Sequence, residues 1–304
     1  MSKSLDSSPA ARTLDGTVRS VVDELASILG RGGPDDSRNT ARDIVAALLH
    51  VSRYWSVLAG DVVLQPQVAD AARVAAQRLV AGAPFAYAVG SAQFRSLTLC
   101  VDERVLIPRP ETEVLVEEIL TRFGAANPGG ADWGTAVDIG TGSGAIALSL
   151  AAEGCFARVV GTDTSLDALD VARTNAGIMG AALRCPVEFR SGSLLAPVRD
   201  IKARLLVSNP PYIAYEEADH LPPSVRSWEP PTALLSGSNG LAITAAIVQK
   251  GKSLLDRRGT LALEVDERRA SLVAELVLSD GGYTDVSVVL DLTGRERFVF
   301  ASRA

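Results

Sequence analysis

Residues 136–163 hold the feature that most restricts the fold: an apolar run, a glycine-rich turn, a small-residue segment, a second apolar run and an acid. Glycine lets a ligand approach the backbone closely, so a glycine-rich turn between a strand and a helix predicts a ligand-binding loop. Asp163 ends the second apolar run, about 20 residues after the turn, where an acid binds both hydroxyls of a ribose. This order predicts an open α/β sheet with a nucleoside site at the carboxyl ends of its strands.

The spacing of the glycines indicates which nucleoside binds. It is Gly-x-Gly-x-Gly at 140–144, which differs from the Gly-x-Gly-x-x-Gly of dinucleotide-binding loops. A nucleoside that carries a carboxylate fits this loop and the following helix N-terminus better than a pyrophosphate does. The turn therefore predicts a site for S-adenosylmethionine, whose sulfonium carries an activated methyl group and which would leave as S-adenosylhomocysteine.

A second signal lies at 205–212, where an apolar run ends abruptly in Asn-Pro-Pro-Tyr. The two prolines stop the predicted strand because each lacks an N–H donor, and Asn209 is held extended by the proline that follows it. The resulting corner offers the Asn209 side-chain carbonyl, unpaired backbone carbonyls and the Tyr212 ring. Such an acceptor-rich corner at the end of a strand suits the binding of an –NH2 group opposite the methyl donor.

Hydrophobic periodicity separates a helical segment from an α/β segment. Helices are predicted over about 13–30, 40–51 and 66–80, and strands and helices alternate from residue 135, which predicts a doubly wound α/β domain. The last two of its seven strands are joined by a few residues and must be antiparallel. The predicted strands are 135–139, 158–162, 186–190, 204–208, 260–265, 283–290 and 297–302, and the predicted helices between them are 144–153, 165–177, 240–256 and 268–279.

The predicted domain organisation has four parts. They are a disordered tail (1–12), a helical substrate-recognition domain (13–90), a hairpin and interdomain linker (91–110) and a cofactor-binding catalytic domain (111–304). Within them, the alternating residues 93–101 predict one strand of a hairpin, and an amphipathic helix is expected over about 111–123. The Gly-, Ala- and Pro-rich residues 124–134 predict a linker or surface loop.

Charge and composition exclude several classes of function. A net charge of −6 argues against a surface built mainly to hold a nucleic-acid backbone, and two histidines supply little material for a metal site or a Ser-His-Asp triad. The three cysteines are far apart in the sequence and are expected to be reduced thiols of a cytoplasmic protein. No apolar run reaches membrane-spanning length, so we expect no membrane partner. The acidic net charge leads us to expect no direct nucleic-acid partner.

Four motifs together resemble a known family. They are Ile-Pro-Arg-Pro-Glu-Thr-Glu at 107–113, Asp-Ile-Gly-Thr-Gly-Ser-Gly at 138–144, Ser-Asn-Pro-Pro-Tyr-Ile at 208–213 and Glu-Pro-x-Thr-Ala-Leu at 229–234. With these motifs the chain, from about residue 40, resembles the protein-(glutamine-N5) methyltransferases that modify peptide-chain release factors. The resemblance implies a class I S-adenosylmethionine-dependent methyltransferase: a Rossmann-like, seven-stranded mixed sheet with an antiparallel last strand, plus a small N-terminal helical domain.

The resemblance also implies the roles of individual residues. The substrate would be the glutamine of the Gly-Gly-Gln loop of a release factor, and a release factor would be the protein partner. The residues expected to bind the cofactor are Gly140, Thr141, Gly142, Ser143, Gly144, Asp163, Leu194 and Asn209. Those expected to bind the glutamine are Asn209, Pro210, Pro211 and Tyr212, of which Asn209, Pro210 and Tyr212 are the expected catalytic residues.

Two departures from the family pattern stand beside the resemblance. Ser193 occupies the position of an acid near the adenine, so that only Leu194 keeps the usual apolar contact. Residues 264–267, Glu-Val-Asp-Glu, are more acidic than the Glu-x-Gly expected there. Three alternatives remain open at this point: glutamine methylation of a ribosomal protein, methylation of an adenine or cytosine amino group in nucleic acid, and a degenerate domain that binds partners without turnover.

Overall fold

The computed structural model describes residues 16–31, 36–127, 129–130 and 132–304. Contacts within the chain divide it into a first unit that ends at Val89 and a second unit from Gly90 to Ala304. The predicted disordered tail, 1–12, lies outside the described residues. None of the described helices is long and apolar enough to cross a membrane.

The first unit is helical. Its core is formed by the apolar faces of the three longest helices, with Leu25, Ile44 and Ala72 fully buried. The short helices α3 and α5 were not predicted, because a segment of four or five residues is too short to show a helical period. The helices are α1 (Val18–Leu29), α2 (Ser37–Leu49), α3 (Trp55–Leu58), α4 (Pro66–Val80) and α5 (Phe85–Val89).

The second unit begins with an antiparallel hairpin of β1 (Ser91–Phe94) and β2 (Leu97–Cys100). The prediction of a single strand over 93–101 is therefore wrong. The chain turns at Arg95, which has a φ of 52°. Its guanidinium lies 2.7 Å from a carboxylate oxygen of Glu117 and 2.7 Å from one of Glu153, so the tight turn serves to bury an ion-paired arginine.

A seven-stranded mixed sheet forms the centre of the second unit, as predicted. The strand order is β10-β11-β9-β6-β3-β4-β5; β11 is antiparallel to both of its neighbours, and the pairs from β9 to β5 are parallel. The seven strands are β3 (Thr135–Ile139), β4 (Arg158–Asp163), β5 (Val187–Ser191), β6 (Ala203–Ser208), β9 (Leu255–Glu264), β10 (Tyr283–Leu290) and β11 (Glu296–Arg303). Two further strands of two residues each, β7 (Ile213–Ala214) and β8 (Leu235–Ser236), pair with each other outside this sheet.

The helices of the second unit pack around this sheet and contribute side chains to its core, such as Val248 and Val273. They are α6 (Pro110–Ala126), α7 (Ala145–Glu153), α8 (Leu166–Met179), α9 (Pro223–Trp228), α10 (Pro231–Leu234), α11 (Gly237–Gly240), α12 (Ala242–Leu254) and α13 (Ala270–Ser279). The predicted start of β9 at residue 260 is wrong, because the strand begins directly where α12 ends.

The predicted surface loop at 124–134 is only partly a loop. Helix α6 continues to Ala126, and Trp133 is 8% exposed. The Trp133 ring lies 5.7 Å from the Phe123 ring and 5.2 Å from the Phe156 ring, measured between centroids. The segment is rich in Gly, Ala and Pro, which predicts a loop throughout. The prediction is wrong at Trp133, because this one aromatic side chain packs into the core and holds the end of the segment against it.

The strand order determines where a ligand can bind. The chain runs from β3 outward to β4 and β5 and then returns to place β6 on the other side of β3. In open α/β sheets this reversal leaves a crevice at the carboxyl ends of the two central strands. The glycine-rich turn follows β3 and the Asn-Pro-Pro-Tyr corner follows β6, so both predicted sites lie at this crevice.

Candidate active site

Two adjoining cavities lie at the crevice. The larger, of about 180 Å³, extends over the glycine-rich turn and Asp163, and the smaller, of about 150 Å³, is lined by Pro210, Tyr212 and Arg109. Asn209 and Pro211 line both cavities. The corner that was predicted to hold the acceptor therefore forms a shared wall between the two spaces.

The glycine-rich turn has a conformation that requires glycine. Gly140 and Gly142 have φ values of 74° and 54°, line the larger cavity, and would direct a Cβ into open space. The backbone N–H groups of Gly140 and Thr141 both donate to the Thr162 carbonyl, at 2.8 and 2.9 Å, which fixes the turn against the end of β4. A ligand in the cavity can thus approach the backbone with no side chain between them.

The other three residues of the predicted loop lie beneath it and do not line the cavity. Ser143 is buried, and its carbonyl accepts a hydrogen bond of 2.9 Å from Asn175, whose side chain also bonds the backbone N–H and carbonyl of Cys100. A Cβ on Gly144 would lie 3.3 Å from the Cβ of Ala172 in α8. Thr141, Ser143 and Gly144 therefore support the loop from the core side.

Asp163 lies at the end of β4 and lines the larger cavity. Its Oδ2 accepts from the Gly142 N–H at 3.0 Å and its Oδ1 from the Ser165 N–H at 2.9 Å. A carboxylate provides about four acceptor positions, so two remain for ligand hydroxyls. Asp163 thus both anchors the glycine-rich turn and offers acceptors to the cavity.

Across the cavity lie Ser193 and Leu194, in the turn after β5. Leu194 has a φ of 52°, which is unusual for a branched residue, and its side chain packs against the core of the sheet. Ser193 is exposed on the cavity wall. The departure from the family pattern therefore leaves a neutral hydroxyl at the position of the usual acid.

The Asn-Pro-Pro-Tyr corner is fixed to the glycine-rich turn by one buried hydrogen bond. The Ser208 hydroxyl donates to the Ile139 carbonyl at 2.7 Å, which joins the ends of β6 and β3. Beyond it, the Asn209 side-chain NH2 donates to the Thr112 hydroxyl at 3.1 Å. Within the described part of the chain, neither the Asn209 Oδ1 nor the Pro210 carbonyl accepts a hydrogen bond. Both oxygens are therefore free to accept hydrogen bonds from a ligand, and the prediction that they bind an –NH2 group stays a prediction.

Tyr212 lines the smaller cavity, and burial, reinforced by the charge of Glu264, raises the pKa of its phenol. The phenol is accordingly neutral, and the ring serves as a packing surface. The Tyr212 backbone is held from behind by Gly240, which has a φ of 80° and follows Ser238 and Asn239, both also at positive φ. A Cβ on Gly240 would overlap the Tyr212 carbonyl oxygen and lie 3.0 Å from its carbon.

We expect Gly240→Ala to displace the Tyr212 backbone and to lower, about 10- to 100-fold, the methyl transfer that the family resemblance implies; this is the scale seen when a residue that orients a functional group is lost. Gly281→Ala is the matched control, because Gly281 has a φ of 73° but its Cβ would meet nothing within 4 Å. Both variants should lose about 1–2 kcal/mol of unfolding free energy from the left-handed conformation. Thermal unfolding and methylation measured on both variants test this; equal activities would contradict it.

Arg109, which lines the smaller cavity, forms an ion pair. The Arg109 guanidinium lies 2.6 Å from Oε1 of Glu229, whose side chain is 1% exposed. Glu229 Oε2 is buried and has no hydrogen-bond partner among the described residues. The pair joins the start of α6 to the segment before α10, which brings two of the family motifs together.

Two further carboxyl groups are buried next to the site. Burial raises the pKa of Asp138 to about 7, opposed by the hydrogen bond of 2.7 Å that its Oδ2 accepts from Thr141. Burial likewise raises the pKa of Glu264 to about 7, opposed by a hydrogen bond of 2.7 Å from the Thr112 hydroxyl. No group of three or more His, Cys, Asp or Glu side chains within 16–31, 36–127, 129–130 and 132–304 is placed to hold a metal ion.

Sequence reasoning missed several of these residues. Arg104 and Ser165 line the larger cavity without belonging to a predicted motif. Glu264 was singled out only as part of an acidic stretch, and Thr112 only as part of the 107–113 motif. The hydrogen bond between Thr112 and Asn209 of the corner spans 97 residues of sequence, and the one between Thr112 and Glu264 spans 152, so nothing local could have indicated them.

Comparisons with known proteins agree with this architecture. Residues 111–221 match the family model "Methyltransferase small domain". The catalytic domain of hMettl16, at 16% identity, superimposes with a TM-score of 0.53 over 77% of this chain and 82% of that chain. At this identity the likeness shows the fold alone, and that fold is the class I methyltransferase fold predicted from the sequence.

Similarity to named relatives is much higher. The release factor glutamine methyltransferase of Moorella thermoacetica is 38% identical over 94% of this chain and 99% of its own. Those of Geobacter sulfurreducens and Rhodopirellula baltica are 35% and 33% identical over 93% and 95% of this chain. Identity of this level over nearly the full length, together with the shared wall of two cavities at Asn-Pro-Pro-Tyr, confirms the resemblance found in the sequence: the chain belongs to the family of release factor glutamine methyltransferases.

Proposed function

We propose that this protein transfers a methyl group from S-adenosylmethionine to the side-chain amide nitrogen, N5, of the glutamine in the Gly-Gly-Gln motif of a peptide-chain release factor. The observation that carries the proposal is the shared wall: Asn209 and Pro211 line both the cavity over the glycine-rich turn and the cavity beside Tyr212. A donor in one cavity and an acceptor in the other would meet at Asn209. The release factor is the proposed protein partner, and the cytoplasm the proposed location.

The residues of the larger cavity fit S-adenosylmethionine. Gly140 and Gly142 leave the backbone accessible, and Asp163 retains acceptor positions for the two ribose hydroxyls. Leu194 offers an apolar contact to the adenine, with Ser193 next to it. When bound, S-adenosylmethionine supplies a methyl group on a positively charged sulfonium.

The residues of the smaller cavity fit a primary amide. An amide nitrogen is a poor nucleophile because its lone pair is delocalised into the carbonyl. The free Asn209 Oδ1 and the free Pro210 carbonyl accept the two N–H protons of the glutamine, which orients the lone pair toward the methyl group. The Tyr212 ring packs on the planar amide and limits its rotation.

Catalysis by this site consists of orientation and electrostatic complementarity. The nitrogen becomes cationic as its bond to the methyl carbon forms and the sulfur–methyl bond breaks, so its N–H groups become stronger donors to the two oxygens. S-adenosylhomocysteine leaves as a neutral thioether, and the methylated amide then gives up one N–H proton to water. Fixed acceptors that interact more strongly with the transition state than with the bound substrate lower the barrier. No strong base is required before transfer.

Mass spectrometry of a purified release factor, incubated with this protein and isotopically labelled S-adenosylmethionine, tests the proposal. The expected result is one labelled methyl group on the glutamine of Gly-Gly-Gln, and none when that glutamine is replaced by alanine. Ribosomal proteins and DNA or RNA incubated in parallel should remain unlabelled. Label on one of these and not on the release factor would replace the proposal with the corresponding alternative.

The cofactor site predicts the effect of one substitution. Asp163→Ala should weaken S-adenosylmethionine binding by about 1.5–3 kcal/mol, because charge-assisted hydrogen bonds to the ribose and to the Gly142 N–H are lost together. Asp167→Ala, which removes an acid from the first turn of α8, is the matched control and should bind normally. Isothermal titration calorimetry measures both; unchanged affinity in folded Asp163→Ala would remove Asp163 from the cofactor site.

A further inference from the structure

A chain of two hydrogen bonds leads from the corner into the core of the second unit. The Asn209 NH2 group donates to the Thr112 hydroxyl at 3.1 Å, and the Thr112 hydroxyl donates to Oε2 of Glu264 at 2.7 Å. Thr112 is 4% exposed and Glu264 is fully buried at the end of β9. We refer to Asn209, Thr112 and Glu264 as the relay.

The direction of the relay follows from the chemistry of its last member. An ionised carboxylate only accepts hydrogen bonds, so the Thr112 hydroxyl must give its single proton to Glu264. The Thr112 oxygen then has only lone pairs to offer Asn209 and can bind the amide only through its NH2 group. The Asn209 Oδ1 then lies on the side of the amide that faces away from Thr112.

The orientation of the Asn209 amide matters because its two ends are nearly equal in size. Rotation by 180° about the last bond exchanges an acceptor for a donor with little change in shape. A rotated amide would present NH2 to the NH2 of the substrate, which places donor against donor. Packing alone does not distinguish the two states, but the relay does.

We propose that Thr112 and Glu264 are positioning residues that fix the Asn209 amide with its carbonyl oxygen toward the acceptor, and that ionisation of Glu264 sets this orientation. The inference rests on the proposed function. It adds Thr112 and Glu264 to the residues that act in it, and it predicts that the rate of methyl transfer depends on pH. Glu264 Oε1 is buried and has no hydrogen-bond partner of normal geometry among the described residues, and Asn209 itself lies near enough to Glu264 to lower the pKa of that carboxyl, so the NH2 end of the amide faces the carboxylate as well as Thr112. A carboxyl group held in this way is a feature of functional sites more often than of structural ones.

Protonation of Glu264 would release the orientation. A protonated carboxyl can donate to Thr112, whose hydroxyl then turns its proton toward Asn209 and favours the rotated amide. The charged or titratable groups that act on Glu264 from neighbouring elements are Glu111 of α6, Arg297 of β11 and Tyr212 of the corner. Burial outweighs the stabilising charge of Arg297, so the pKa of Glu264 lies at about 7. Methyl transfer should therefore fall as the pH falls through this value.

Substitutions of Thr112 give the first test. At saturating S-adenosylmethionine, Thr112→Val should lower single-turnover methylation about 10- to 100-fold, with unchanged cofactor affinity, whereas Thr112→Ser keeps the hydroxyl and should restore most of the rate. Thr244→Val, the same change at a buried threonine of α12, is the matched control. A normal rate in Thr112→Val, or an equal loss in Thr112→Ser, would overturn the positioning role.

The pH profile gives the second test. Between pH 5.5 and 8.5, roughly one and a half units on either side of the expected pKa, the rate of the wild type should rise with pH. Glu264→Gln should be slower and should lose that rise, because its amide does not titrate. An acid limb that persists in Glu264→Gln would show that another group causes it, and would overturn the role of Glu264.

A third measurement tests the positioning role of Thr112 and Glu264 without relying on methylation of a release factor. The ¹⁵N resonance of the Asn209 side-chain amide can be identified by its absence in Asn209→Asp. In the wild type its two protons should exchange slowly and shift as Glu264 titrates, and in Thr112→Val this protection should be lost. An Asn209 amide that is insensitive to both changes would refute the relay, whereas failure of methylation alone would refute the proposed function.

Discussion

Replacing Asn209 with alanine is expected to lower single-turnover methylation of a release factor by about 10²–10³-fold, or about 2.7–4 kcal/mol, the effect of removing one oriented hydrogen bond from a catalytic site. The Asn209 Oδ1 is one of two free acceptors at the corner, and alanine removes it without filling the space. Affinity for S-adenosylmethionine should change much less, because Asn209 is only one of the many residues around the larger cavity. Methylation and cofactor binding are to be measured on the same preparation.

The nearly isosteric Asn209→Asp separates two explanations of such a loss. If an acceptor at this position were sufficient, aspartate would work, since its carboxylate accepts hydrogen bonds from the substrate. In the structure, however, the side-chain NH2 donates to Thr112, and Thr112 donates to Glu264. Aspartate would place two carboxylates around one hydroxyl, which raises the pKa of one of them and breaks the relay. We therefore expect Asn209→Asp to be impaired as well. Near-normal methylation by Asn209→Ala would contradict the mechanism, and equal losses of methylation and cofactor binding would make Asn209 a cofactor residue.

The sequence was sufficient to predict those parts of the site in which local chemistry and fold coincide. Gly140 and Gly142 have the positive φ that a ligand-binding turn requires, and Asp163 ends the strand at which a ribose acid is expected. Similarly, Pro210 and Pro211 end β6 where the apolar run stops. In each case the residue type and its place at the end of a strand beside the crevice depend on the same few neighbouring residues.

The sequence was insufficient wherever function depends on contacts between distant segments. Residues 213–240 carry no apolar period, so no element is predicted there. The structure nevertheless has β7, β8 and three short helices in this segment, and Ile213, Val225 and Leu234 line the smaller cavity together with Tyr212. Nothing in the sequence indicates that position 240 must be glycine, because the group that excludes a side chain there is the Tyr212 carbonyl, 28 positions earlier. The acidic residues 264–267 looked like a departure from the family pattern. In the structure Glu264 ends the relay, and Asp266 forms ion pairs with Arg268 and Arg269.

The first unit is expected to recognise the release factor and not the cofactor, since every residue of the two cavities belongs to the second unit. A protein that begins at Gly90 should retain S-adenosylmethionine binding and lose about 100-fold or more in kcat/KM for an intact release factor, about 2.7 kcal/mol of binding energy. The truncation belongs at Gly90 and not at residue 111, where the catalytic domain is predicted to begin from the sequence. A later start would remove β1 and β2, whose Phe94 and Leu99 are fully buried and whose Cys100 backbone is bonded to Asn175 under the glycine-rich turn.

A short Gly-Gly-Gln peptide is the matched control substrate for this truncation. The peptide contains the reacting glutamine but none of the remaining surface of the release factor, so it should be methylated equally by the full chain and by the truncated protein. A selective loss on the intact factor means that the first unit contributes binding energy through contacts remote from the reacting amide, which raises kcat/KM without altering the chemistry at Asn209. A truncated protein that methylates the intact factor as well as the full chain does would assign recognition to the second unit. A loss on both substrates with cofactor binding intact would instead mean that the first unit is needed to maintain the acceptor cavity.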